Sequence, residues 1–73
     1  MRDVNEVFSG ISVQHARADA KERGVTIGHL TSYVTQGCRH KWVEIYEDGV
    51  QVQTGYYYNV AEAKSNYILH KGL

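Results

Sequence analysis

Two runs that alternate with period two, Trp42 to Glu47 and Val50 to Gly55, are separated only by Asp48-Gly49. Glycine tolerates the positive φ that a two-residue turn matching the twist of its strands requires, so this segment predicts a tight hairpin. Glu47 then faces Val50. Counting outward puts Ile45 opposite Val52 and Val43 opposite Thr54 on one face. On the other face Tyr46 meets Gln51, Glu44 meets Gln53 and Trp42 covers Gly55.

The rest of the chain supplies elements to cover one side of that hairpin. Asn59 and Glu62 stand at reciprocal capping spacing, which predicts a helix ending at Gly72 with Val60, Ala63, Tyr67 and Ile68 on one side and Leu73 folding back on Ile68. Upstream, Ser12 is placed to cap a helix that Gly24 stops, with Val13, Ala16 and Ala20 as its apolar stripe and Ile11 stapled onto Ala16. Arg17, Asp19, Lys21, Glu22 and Arg23 read as its solvated side. Ile27, Leu30 and Val34 have helical spacing, but Thr31, Tyr33, Val34 and Thr35 suit a pleated surface, so a strand is expected from His29 onward. The loop Gln36-Gly37-Cys38-Arg39 would reverse the chain, pairing Thr35 with His40 and setting Leu30 against Ile45 and Ser32 against Val43. Residues 1–10 read as an arm or a short helical turn, since Asp3 and Glu6 have capping-box spacing and Val4, Val7 and Phe8 fall on one side. Residues 11–73 form the domain. The expected fold class is α+β: a helix, a three-stranded antiparallel sheet and a helix, with both helices on the face carrying Val43, Ile45, Val50 and Val52.

Size and charge narrow the function classes. A chain of 73 residues buries about 60% of its unfolded surface, which leaves little room for a large internal catalytic cavity. Eight basic and eight acidic residues give a formal net charge of +0, and neutrality weighs against non-specific binding to a polyanion. One cysteine, Cys38, cannot form an internal disulfide, so the cytoplasm is the expected compartment. No apolar run approaches the roughly 18–20 residues of a membrane span, and the first residues lack the apolar core of a signal peptide.

The outer sheet face is the main candidate for contact. Tyr33, Trp42 and Tyr46 would stand there among Thr31, Glu44, Gln51 and Gln53, and Tyr and Trp bring large rigid contact area at small entropic cost. The same rings also serve plain cross-strand packing, and exposure separates the two roles. In Tyr56-Tyr57-Tyr58, alternation sends Tyr56 and Tyr58 inward and Tyr57 out, so the expected partner-binding set is Tyr33, Trp42, Tyr46 and Tyr57, with Phe8 from the arm. Arg39, His40 and Lys41 form a basic knot at one end of the sheet, opposite acidic Glu47-Asp48. With Lys64 they are the candidate phosphate contacts. Cys38, His40 and His29 are the candidate metal ligands at one sheet end, but no paired Cys or His spacing accompanies them, so neither a metal nor a cofactor is expected. Cys38 beside His40 lacks oxyanion donors and a third orienting group, so the chain is not expected to be an enzyme.

The element order, Gly37 and His40 at the loop and strand start, the hairpin, Gly55 after the third strand, and Ala63-Lys64 in the last helix resemble the double-stranded-RNA-binding domain. That resemblance implies the helix–strand–strand–strand–helix fold over most of the chain. In the family, lysines at the start of the last helix reach phosphates across a groove. Here that turn reads Asn59-Val60-Ala61-Glu62, and members lacking those lysines often act as protein-interaction modules. The expectation is therefore a non-enzymatic module that binds a larger protein machine as a regulator or inhibitor, as in phage-type control of host transcription. The alternative is a nucleic-acid-binding domain of the same fold, and a second alternative is a small Cys/His metal or thiol protein.

Overall fold

The computed structural model, which describes residues 12–35 and 39–72, closes the hairpin at Asp48 and Gly49, whose φ angles are 51° and 84°. Two consecutive positive φ values give the turn that matches strand twist. Strands β1 (Leu30–Thr35), β2 (Lys41–Glu47) and β3 (Val50–Tyr57) form an antiparallel sheet in that spatial order. Helix α1 (Val13–Glu22) precedes the sheet and α2 (Val60–Gly72) follows it. The chain is thus a small α+β domain with an open three-stranded antiparallel sheet. The arm with Phe8, the Ile11 staple, Gln36, Gly37, Cys38 and Leu73 lie outside the described residues.

Both helices begin and end where side-chain chemistry dictates. The Ser12 hydroxyl accepts the His15 amide at 3.2 Å. Gly24, at φ 78°, ends α1 in a Schellman motif in which its N–H donates to Lys21 at 3.0 Å and the Val25 N–H to Ala20 at 2.9 Å. At the start of α2 the Glu62 amide donates to Asn59 Oδ1 at 2.7 Å. The Glu62 carboxylate accepts the Tyr58 amide at 2.7 Å, one residue before the position a standard capping box uses.

Ala16, Ala20, Leu30, Val43, Ile45, Ala63, Ile68 and Leu69 form one buried cluster. The alanines let α1 lie close along α2, and α2 in turn touches all three strands. Because α2 is covered on two sides, Ser65 and Leu69 are buried as well as Ala63 and Ile68, a wider arc than a single apolar stripe describes. The solvated side of α1 is also more engaged than expected. Arg23 pairs with Asp19 at 3.1 Å and donates to the Gly72 carbonyl at 3.3 Å, and Arg17 donates to the Gly28 carbonyl at 3.4 Å.

Two register expectations are corrected. Thr35 pairs with Trp42 rather than His40, so Leu30 lies opposite Glu47, Ser32 opposite Ile45 and Val34 opposite Val43. A two-residue slip preserves which side chains point inward, so periodicity alone cannot choose between the two registers. The choice is made at the far end of the strands. There the Asp48 N–H donates to the His29 carbonyl at 2.9 Å, and Asp48 Oδ1 accepts the His29 amide at 3.0 Å.

The second correction lies in β3. Glu47 pairs with Val50 and Tyr46 with Gln51, but Ile45 then pairs with Gln53, leaving Val52 as an extra residue. One inserted residue inverts the alternation that follows. Glu44 accordingly meets Thr54, Val43 meets Gly55 and Trp42 meets Tyr56. Gln53, Gly55 and Tyr57 join the helix side, whereas Val50 and Val52 are 65% and 36% exposed and add little to the core.

Candidate functional site: the outer sheet face

Even-numbered residues of β2, odd-numbered residues of β1 and, beyond the bulge, even-numbered residues of β3 share the face turned away from the helices. This register gathers Tyr33, Trp42, Tyr46 and Tyr56 around Glu44. Tyr33 meets Tyr46 edge to face with ring centroids 5.3 Å apart, and Trp42 meets Tyr56 in the same way at 5.0 Å. Tyr33 and Tyr56 are 66% and 71% exposed, while Trp42 and Tyr46 are half-buried against their ring partners. Glu44 is half-buried and accepts the Tyr46 hydroxyl at 3.0 Å. That hydrogen bond is the main reason the Tyr46 phenol is raised above its ordinary value.

Three of the expected partner-binding residues, Tyr33, Trp42 and Tyr46, therefore come together. Tyr57 does not join them. Its ring packs against the core and its hydroxyl accepts from Gln53 Nε2, which also donates to Asn66 Oδ1 at 2.8 Å. Tyr56 takes the outer place instead, and Tyr58, expected to point inward, is 65% exposed just past the strand. Trp42 packs edge to face with Tyr56 rather than shielding Gly55. The bulge at Val52 causes these reversals, and nothing in the local alternation announces it.

At one end of the sheet, Arg39, His40 and Lys41 line an open groove with Tyr58 and Asn59. Lys41 Nζ donates to the Tyr58 carbonyl at 3.3 Å. Lys64 lies outside the lining of this groove. His29 and His40 precede β1 and β2 and so lie at opposite ends of the sheet, separated by a strand of six residues, about 20 Å of extended chain. They do not gather at one sheet end as the metal reading required. Among the described residues no group of three or more His, Cys, Asp or Glu is placed to hold a metal ion. No helix among them is long and apolar enough to cross a membrane.

The acidic end of the hairpin is a structural node. The Glu47 carboxylate, 11% exposed, accepts Lys71 Nζ at 2.8 Å and also takes hydrogen bonds from the Tyr67 hydroxyl and the Gly28 amide. Lys71 contributes most to holding Glu47 down at about 2, followed by Tyr67 and Gly28. The Lys71 ammonium is raised by the same pairing. The Tyr67 phenol is raised first by burial and then by Glu47. Glu47 thus ties β2 to α2 and to the segment before β1, which leaves Glu44 as the carboxylate on the outer face.

Comparison with protein-family models, curated proteins and solved structures finds no match to the chain.

Proposed function

We propose that the chain is a non-enzymatic protein-interaction module that engages its partner through the outer face of its sheet. One observation carries this reading: among the described residues, both helices lie on the opposite side, while Tyr33 and Tyr56 remain two-thirds exposed beside Trp42 and Tyr46. Rigid aromatic rings on a sheet already ordered by its core present contact area with little further entropy to lose on binding. A regulator or inhibitor of a larger protein machine would work in this way, occupying a surface without performing chemistry on it. The experiment is affinity capture with the intact chain beside Tyr33→Ala, Trp42→Ala and Tyr56→Ala variants whose folding is checked by circular dichroism. Loss of a specific partner in all three supports the reading, and undiminished capture refutes it.

The groove of Arg39, His40 and Lys41 favours a second reading, a nucleic-acid contact at the end of the sheet. Phosphate-driven binding weakens steeply as salt rises. Absence of binding to duplex RNA or DNA at low salt would remove this alternative.

A further inference from the structure

Among the described strand residues of the outer face (Thr31, Tyr33, Thr35, Trp42, Glu44, Tyr46, Gln51, Thr54 and Tyr56), Glu44 alone is charged. It also occupies the centre. Tyr33 lies directly across from it on β1 and Thr54 on β3. Trp42 and Tyr46 flank it two residues away along β2, about 7 Å in each direction. The carboxylate therefore sits between two edge-to-face aromatic pairs. Aromatic faces carry negative quadrupole charge and attract cations, so the rings and the carboxylate favour the same sign of ligand.

We infer that this face receives an arginine side chain from a positively charged segment of a partner protein, with Glu44 as its counter-ion and Tyr33, Trp42, Tyr46 and Tyr56 as the surrounding rings. The inference rests on the reading of the outer face as a docking surface and adds the chemistry of the occupant. Tyr46 uses Glu44 Oε1, but a carboxylate offers about four lone-pair sites and keeps capacity for the guanidinium fork. Arginine fits better than lysine because its planar, weakly hydrated head stacks on a ring and hydrogen-bonds a carboxylate at the same time. A phosphate backbone is disfavoured here, since it would meet the Glu44 charge directly.

The test is a titration of the full chain with a capped tetra-arginine peptide, followed by Trp42 fluorescence and by its indole N–H resonance. Tetra-lysine, tetra-glutamate and a short RNA duplex are titrated in parallel. Saturable Trp42 shifts strongest with tetra-arginine, weakened about tenfold or more in Glu44→Gln and unchanged in Asp48→Asn, are the expected result; tenfold corresponds to about 1.4 kcal/mol. Equal binding by Glu44→Gln, or a Trp42 response to tetra-glutamate or RNA in place of tetra-arginine, overturns the inference. The two levels separate in the capture assay. A partner that depends on Trp42 and Tyr56 but not on Glu44 leaves the docking surface standing and sinks the arginine. A partner that depends on none of the three sinks both.

Discussion

Gln53 of β3 and Asn66 of α2 meet side chain to side chain, Nε2 donating to Oδ1 at 2.8 Å, and they meet because Val52 is the extra residue of a bulge. With strict alternation Gln53 would point to the outer face and Tyr56 to the core.

The bulge gives deletions opposite outcomes. Removing Val52 leaves Gln51 opposite Tyr46 and Gln53 opposite Ile45 in a regular ladder, with every later side chain still on its present face. Because Val52 is exposed, the expected cost is about 1 kcal/mol or less. Removing Thr54 keeps the bulge but inverts Tyr56 and Tyr57, and should cost about 3 kcal/mol or unfold the domain. Urea denaturation of the two deletion variants decides the matter, and equal costs would contradict the assigned register.

Glu47 gives the domain an acid dependence. Its carboxyl falls from an ordinary 4.5 to about 2 in the folded chain, so its stabilisation is complete above about pH 4.5 and is lost as pH falls toward 2. The shift corresponds to about 3 kcal/mol at most, and screening around the water-facing Lys71 leaves about 1–2 kcal/mol. Glu47→Gln should lower stability by that amount at pH 7. Its stability curve should approach that of the parent near pH 2. A constant gap across this window would show that the charge is not the cause.

Gly28 is needed because of Asp48. A Cβ at Gly28 would lie 2.0 Å from Asp48 Oδ2, so Gly28→Ala must displace the side chain that accepts the His29 amide. The displaced group is the end of a side chain, which limits the expected cost to about 1–2 kcal/mol. Asp48→Gly removes the obstruction and suits the positive φ at that position. In that background the Gly28→Ala penalty should shrink by half or more, and full additivity in thermal melts would contradict the contact.

Trp42 and Tyr56 should be coupled in a double-mutant cycle. Their edge-to-face contact at 5.0 Å predicts an interaction energy of about 0.5–1 kcal/mol between Trp42→Ala and Tyr56→Ala. Tyr57→Ala should destabilise far more than Tyr56→Ala, because only Tyr57 packs on the core. Chemical denaturation of the variants measures both quantities, and the reverse order would return the tyrosines to strict alternation.

Ser65 is 1% exposed and its hydroxyl has no hydrogen-bond partner among the described residues. Removing an unsatisfied buried hydroxyl without changing the helix favours the folded state, so Ser65→Ala should stabilise by about 1 kcal/mol. A lower melting temperature for this variant would indicate that the hydroxyl is satisfied.

Local chemistry made much of this architecture legible in the sequence. Positive φ at Asp48-Gly49, the caps at Ser12 and Asn59, the stop at Gly24 and the inward phase of Val43 and Ile45 each depend on residues a few positions apart, so the hairpin and both helices could be read directly. That Glu44, Trp42 and Tyr46 share the outer face was visible for the same reason. The register of β1, the bulge at Val52 and the exchange of Tyr56 for Tyr57 on the outer face depended on contacts between distant segments: His29 with Asp48, Gln53 with Asn66, Trp42 with Tyr56. A slip of two residues leaves the hydrophobic pattern unchanged, and one inserted residue reverses it without altering composition. Only three-dimensional packing distinguishes those states, and it thereby selected which rings stand around Glu44.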